Sequence, residues 1–171
     1  MRRFVLLVAG LTVLLASVAV ASSGSGTRVE ARWVITDLPT PGGKASYAAD
    51  INDRGQIVGL AHIRESVQHA FLWENDTMRD LGTLGGAESD AKAINEHGQV
   101  VGSADTKVKH KRGFEMHAFL WEKGKMRDLG TLGGPHSEAV AINERGQIVG
   151  WSDTWGAKFK SRAVLWTLKR G

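Results

Sequence analysis

Through residues 137–142, SEAVAI, small and branched apolar side chains alternate, so Ala139 and Ala141 share one face of an extended strand while Val140 and Ile142 share the other. The polar stretch Asn143-Glu144-Arg145-Gly146 leads from there into GQIVG, and the same succession stands around Asn95 and Asn52. Asn at the first position accepts a backbone hydrogen bond, and Gly at the fourth takes φ > 0, so each stretch predicts a hairpin from a strand a to a strand b. A strand c follows as HAFLW at 69–73 and 117–121 and as RAVLW at 162–166. Glu74-Asn75-Asp76-Thr77 and Glu122-Lys123-Gly124-Lys125 each predict a two-residue hairpin into a strand d. In the second case strand d is expected over 126–132, ended by Gly133-Gly134. No stretch beyond the N-terminal apolar run sustains a 3.6-residue apolar period with caps, so the chain reads as all-β.

The pattern is written more than once. Residues 69–102 match residues 117–150 at 25 of 34 positions without a gap, which marks a repeat architecture. A weaker copy comes first: DLPTPGG at 37–43 aligns with DLGTLGG at 80–86 and 128–134, and Ser46, Ala48, Ile51, Asn52, Gly55, Gln56, Val58 and Gly59 fall on their counterparts. Spacings of 43 and 48 residues separate Ile51, Ile94 and Ile142, near the ~40–50 residues of four-stranded blade repeats. The expected fold is three tandem four-stranded antiparallel repeats, about 33–73, 74–121 and 122–168. Small residues at 48, 91 and 139 suggest that strand a lies close to another backbone. Trp33 to Leu38 reads as a strand d placed to pair with Arg162 to Trp166, which would protect two edges.

Length and composition narrow the rest. With 171 residues the chain suits one folded domain, 33–171. Arg2 and Arg3, an apolar run to Val20, and Ala19-Val20-Ala21 read as a signal peptide over 1–21, followed by a flexible leader over 22–32. An uncleaved anchor is the alternative, since the apolar run sits at the lower limit of roughly 17–25 residues for a span. The expectation is an extracytoplasmic protein, secreted or periplasmic, with no stable membrane span after cleavage. There is no cysteine, hence no disulfide framework, no cysteine metal site and no lipid attachment after the signal. Losing Arg2 and Arg3 lowers the formal charge from +4 to +2, so no nucleic-acid partner is expected.

The HAFLWE…M.DLGTLGG..S.A.AIN..GQ.VG pattern resembles the HAF-repeat family of predicted extracellular bacterial proteins. The resemblance covers about 33–168. It implies β-propeller-like blades, and no catalytic residue set comes with it. The chain departs from the pattern at Pro39 and Pro41, and at Arg162 and Val164. Propellers need ~4–8 blades, so three repeats leave an open arc, two chains joined in a six-bladed ring, or a compact threefold β fold such as a trefoil or prism.

Repetition separates scaffold from site. His69 and His117 recur at the start of strand c and give way to Arg162, which favours a structural role over a metal or general-base role. Asp37, Asp80 and Asp128 with Ser46, Ser89 and Ser137 are candidates for a hydrogen-bond network with those histidines and the tryptophans. Asp50 to Gly55 lacks two ligands of a calcium loop, at Arg54 and Ala61. TLGG lacks the Gly-Lys-Ser/Thr of a phosphate loop, and no nucleophile motif is present. No catalytic residue, metal ligand or cofactor is therefore assigned. The b–c connections vary most, and variable loops on a repeated scaffold are where binding concentrates. There the candidates are Lys107, Lys109, His110, Lys111 and Arg112 in the second repeat, for an anionic polymer, and Trp155 and Phe159 in the third, for sugar rings. The bland alternative is a solvated charged loop with core tryptophans, Trp151 above all.

The reading is a non-enzymatic exported module that binds a glycan, an anionic envelope polymer or a protein. The alternatives are an assembly protein that completes a larger propeller as a homodimer, and a hydrolase with a dispersed site, for which the sequence offers no unique catalytic cluster.

Overall fold

The computed structural model describes residues 31–38, 40, 42–110, 113–155 and 160–168. The proposed signal, most of the leader, and Lys111, Arg112 and Phe159 lie outside the described residues; of His110 only the backbone is described. The chain divides into two compact units, 1–38 and 39–171. In the first, the described residues contain no named strand, and Val34 alone forms an isolated bridge. This corrects the strand expected over 33–38: an extended run becomes a strand only through successive ladder partners, and Trp33 and Ile35 instead stand exposed.

The second unit is all-β. Strands β1 (Ser46–Ile51), β2 (Ile57–Arg64), β3 (Val67–Glu74) and β4 (Thr77–Asp80) form a four-stranded antiparallel sheet in that order. Strands β5 (Gly85–Ile94), β6 (Val100–His110), β7 (Gly113–Glu122), β8 (Lys125–Asp128), β9 (Gly133–Ile142), β10 (Ile148–Thr154) and β11 (Ser161–Trp166) form a seven-stranded sheet. Its order is β11-β10-β9-β7-β6-β5, with β8 also paired to β7. One parallel contact, Met116↔His136, joins β7 to β9 and makes this sheet mixed. Neither sheet closes. Three separate four-stranded sheets are therefore not what forms, because β9–β11 has no fourth named strand and is merged with β5–β8.

Turn chemistry sets most of the connections as expected. Gly55, Gly98 and Gly146 have φ of 73°, 73° and 72° and close the a–b hairpins. Asn75 and Asp76 (φ 49° and 57°), and Lys123 and Gly124 (φ 50° and 78°), form the two-residue turns into β4 and β8. Strand d, however, stops at Asp128, not Leu132. There the carboxylate accepts a hydrogen bond from Gly130 N at 2.7 Å and turns the chain, as Asp80 does with Gly82 N at 2.7 Å. The paired glycines consequently start β5 and β9 instead of ending the strand before them. A register shift between Ala91 and Ala93 bends β5 so that the Asp90 carbonyl presses on Gly102, where an added Cβ would sit 2.0 Å from it. That bulge accounts for the small residues expected at close backbone approach.

Two apolar clusters hold the strand sets face to face. Val58 and Leu72 from β2 and β3 pack with Ala91, Ile94, Val100, Phe119 and Trp121 from β5–β7. Val101 and Ala118 from the opposite face of β6 and β7, with Leu120, pack with Ala139, Ile142, Ile148 and Trp166. Each fully buried Val, Leu, Ile or Phe among them contributes about 1.5–3 kcal/mol.

Polar ladders run across the same boundaries. The Asn95 side-chain oxygen accepts hydrogen bonds from His97 N and Gln99 N, both at 3.0 Å, and its amide donates to Gln99 Oε1 at 2.7 Å and to Asn143 O at 3.1 Å. Asn52 repeats this set, donating to Asn95 O at 3.1 Å. Ser137 Oγ accepts from Ala118 N at 2.9 Å and donates to Gly130 O at 2.8 Å; Ser89 does the same with Ala70 N and Gly82 O.

Candidate functional site

Each sheet has two ends. The asparagine turns and the c–d hairpins lie at one. At the other lie the glycine pairs and the b–c hairpins, and Gly85↔Thr106 and Gly133↔Thr154 tie the two kinds of segment together. This glycine end is where the three copies diverge in sequence, and it holds the site candidates that fall among the described residues.

The expected b–c loop of the second copy is a long hairpin instead: β6 runs to His110 and β7 starts at Gly113. Lys107 and Lys109 thus stand on a strand, exposed, with Val108 between them. The ladder continues because Lys109 pairs with Phe114 and His110 with Gly113 across the strands. Lys109 Nζ lies 5.3 Å from the centre of the Phe114 ring, within cation–π range. Phe114 was not legible as a site residue, since it falls in the segment that the other copies lack; its spacing from Lys109 across a Gly-closed turn was the available signal.

Trp155 follows Thr154 as Lys107 follows Thr106, and the two side chains take the same place. A Cβ added at Gly133 would meet the Trp155 ring at 1.8 Å, and one at Gly85 would meet Lys107 Cγ at 2.5 Å. The indole therefore lies against bare backbone while remaining 82% exposed. Gly133 is held in that position, at φ 99°, by Thr131, whose Oγ accepts from Gly133 N at 3.0 Å and donates to Gly134 O at 2.8 Å. Between the Lys109–Phe114 pair and Trp155 lie the starts of β7 and β9, where Met116 N donates to His136 Nδ1 at 3.3 Å. The seven-stranded sheet thus brings Lys107, Lys109, Phe114, His136 and Trp155 to one end. Lys111, Arg112 and Phe159 lie outside the described residues.

Two carboxylates nearby are engaged. Asp105 accepts from Glu88 N at 3.2 Å, and Asp153, largely buried, accepts from Ser161 Oγ at 2.6 Å. His69 and His117 each hold an aspartate through Nδ1, Asp80 and Asp128 respectively, at 2.8 Å. Those aspartates also cap the turns to β5 and β9, so the pairs lock the end of strand d onto strand c. The expected network forms in part: the serines bond backbone of the preceding strand set rather than the His–Asp pairs, and Trp166 Nε1 donates to Leu129 O at 3.0 Å. Among the described residues, no three His, Asp or Glu side chains are grouped to hold a metal ion, and no helix is long and apolar enough to cross a membrane. At the asparagine end, Arg54, Gly55, Gln56, Glu74 and Asn75 line a recess of about 200 Å³. It is closed chemically by the Gln56 Nε2 to Glu74 Oε2 bond of 2.6 Å.

The profile of the family described as protein of unknown function (DUF3466) matches residues 46–132, half of the 171-residue chain. The chain belongs to the DUF3466 family. No curated protein and no solved structure matches it. The DUF3466 match opens with β1 and runs past β8, so it takes in both His–Asp pairs, the Asn52 to Asn95 link and the lysines of β6. Trp155 and the Asn143 turn lie beyond the DUF3466 match.

Proposed function

We infer that this DUF3466 protein is an exported, non-enzymatic module of HAF-repeat type, in which β-propeller-like blades present a binding surface at the glycine end for an acidic polysaccharide. The blade reading is supported by registers that recur: the a–b pairings end at Ile51↔Ile57, Ile94↔Val100 and Ile142↔Ile148, each preceded by a bulge. The observation that carries the ligand reading is the pairing of cations with an uncovered aromatic at one end of one sheet. Lys107 and Lys109 supply charge for carboxylate or phosphate groups, and the Trp155 indole, flat against Gly133, offers an apolar face to a sugar ring. Both belong to segments that the repeat does not duplicate, where a change of side chain leaves the scaffold intact.

The test is affinity electrophoresis of the exported chain through gels that contain an acidic polysaccharide such as alginate or a neutral one such as dextran. The expected result is retardation by the acidic polymer, weakened by salt, reduced at least tenfold in Lys107→Ala/Lys109→Ala, and reduced in Trp155→Ala at every salt concentration. Equal mobility in all gels, or retardation that neither variant alters, refutes the reading.

A further inference from the structure

We propose that a second copy of this chain docks head to tail, with the exposed face of β9–β11 around Val149 and Leu165 in one copy seated on the exposed end of β1 around Ile51 in the next. The inference does not rest on the polysaccharide reading; it rests on positions that the chain buries at its internal boundaries and leaves exposed once each, at Ile51 and at Val149 with Leu165. Val58, Val101 and Val149 hold the same register position on strand b. The first two are 0% exposed against the next strand set, and Val149 is 44% exposed. Leu72 is 2% exposed, whereas Leu165 at the matching place on strand c is 59% exposed. On the receiving side, Ile94 is buried against β2 and β3, and its counterpart Ile51 is 61% exposed. The face bearing Val149 and Leu165 is thus the kind that Ile94 and Trp121 accept, and the exposed Ile51 stands where Ile94 meets Val58 and Leu72.

Polar groups end in the same unfinished way. Asn52 donates to Asn95 O and Asn95 to Asn143 O, but the Asn143 amide donates, among the described residues, to Gln147 Oε1 alone. The Asn52 carbonyl, correspondingly, accepts among the described residues from Gly55 N alone. Glu96 Oε1 takes the Asp53 N hydrogen, at 2.7 Å, and Glu144 takes that of Glu96 N, at 3.1 Å. The next donor in the series is Glu144 N, and the matching acceptor is the Asp53 carboxylate of a second copy. His97 faces Glu144 across the existing boundary at 3.2 Å; Arg145 would face Asp53 across the new one, again opposite in charge. Exposed apolar positions and an open amide ladder therefore call for the same neighbour. A contact of this heterologous kind closes into a ring where the rotation permits and otherwise extends.

The experiment is sedimentation and light scattering of the exported chain and of two variants, Ile51→Asp (head) and Val149→Asp/Leu165→Asp (tail), each checked for a wild-type circular-dichroism spectrum. The wild type is expected at twice the monomer mass or a higher multiple. Each variant alone is expected as a monomer, and their equimolar mixture as a one-to-one dimer, because the intact tail of one meets the intact head of the other. A wild-type chain that sediments as a monomer overturns the proposal and leaves a different protein as the occupant. Association that survives in either variant alone, or a mixture that stays monomeric, also overturns it, since it indicates a contact other than tail on head.

Discussion

The two ends of the sheets are made of the same strands and behave differently. At the asparagine end, Asn52, Asn95 and Asn143 stand in three copies of one turn, and the first two each reach across to the next copy. At the glycine end the threonine and aspartate turns recur, but Lys107 and Trp155 occupy one place with unlike side chains. A residue that bridges copies must keep its length, donor count and position, because a buried amide left unpaired costs about 1–3 kcal/mol. A residue that lies over a glycine and faces water meets no such condition. The duplicated end is thereby committed to holding the copies together, and the other is free to differ.

This contrast is most open to test at the central asparagine. Asn95 is buried, and its removal strands two backbone donors and Gln99 Oε1, and leaves the Asn143 carbonyl with Gly146 N alone of its two donors. Asn95→Ala is expected to lower stability by about 3 kcal/mol, and Asn143→Ala, whose turn is exposed and does not bridge to a further copy among the described residues, by about 1 kcal/mol. Urea unfolding of the two variants measures the difference. Equal losses would show that the amide acts only within its own turn.

Ser137 provides a second, smaller break. It is fully buried and joins Ala118 N to Gly130 O. Ser137→Ala leaves both without a side-chain partner and is expected to cost about 2 kcal/mol, while Lys107→Ala and Lys109→Ala stay within about 0.5 kcal/mol of the wild type. Melting curves decide it; a lysine variant as damaging as Ser137→Ala would mean that the glycine end carries the fold as well.

The sequence made the asparagine end legible and the glycine end only partly so, for physical reasons. Asn followed three places later by Gly has few uses besides a closed turn, and three occurrences with GQ-V/I-V-G behind them left little else to expect. What it did not reveal is that the Asn amide reaches 43 and 48 residues along the chain, because a contact between copies has no local pattern. The glycine pairs were misread as strand ends because Gly breaks most strands; here Asp80 and Asp128 had already made the turn. The long β6–β7 hairpin was expected as a loop, since a lysine-rich run has little strand propensity. The cross-strand partner Phe114 supplies what the run itself lacks. His69 and His117 were read as structural from repetition alone; each holds an aspartate that also caps a turn.

The finest distinction concerns a link between copies that is not itself repeated. Lys92 on β5 donates to Asp90 at 2.6 Å and lies 3.5 Å from Glu138 on β9, whereas Ala49 and Val140 stand at the matching places. The hydrogen bond to Asp90 is the main cause that raises its pKa above 10.5, opposed by partial burial and aided by the charges of Asp90 and Glu138. A lysine whose folded-state pKa lies above its unfolded value stabilises the fold fully below the unfolded value, near 10.5, and loses that contribution as pH rises through the folded one. The pair is a third exposed, so solvent screening keeps the effect below about 1 kcal/mol. Comparing wild type with Lys92→Met isolates it from other groups that titrate in alkali: the stability difference is expected to be constant from pH 7 to about pH 10 and to shrink above the unfolded pKa of lysine. A difference that is unchanged at high pH, or that grows, would show that the charge of Lys92 does not help join β5 to β9.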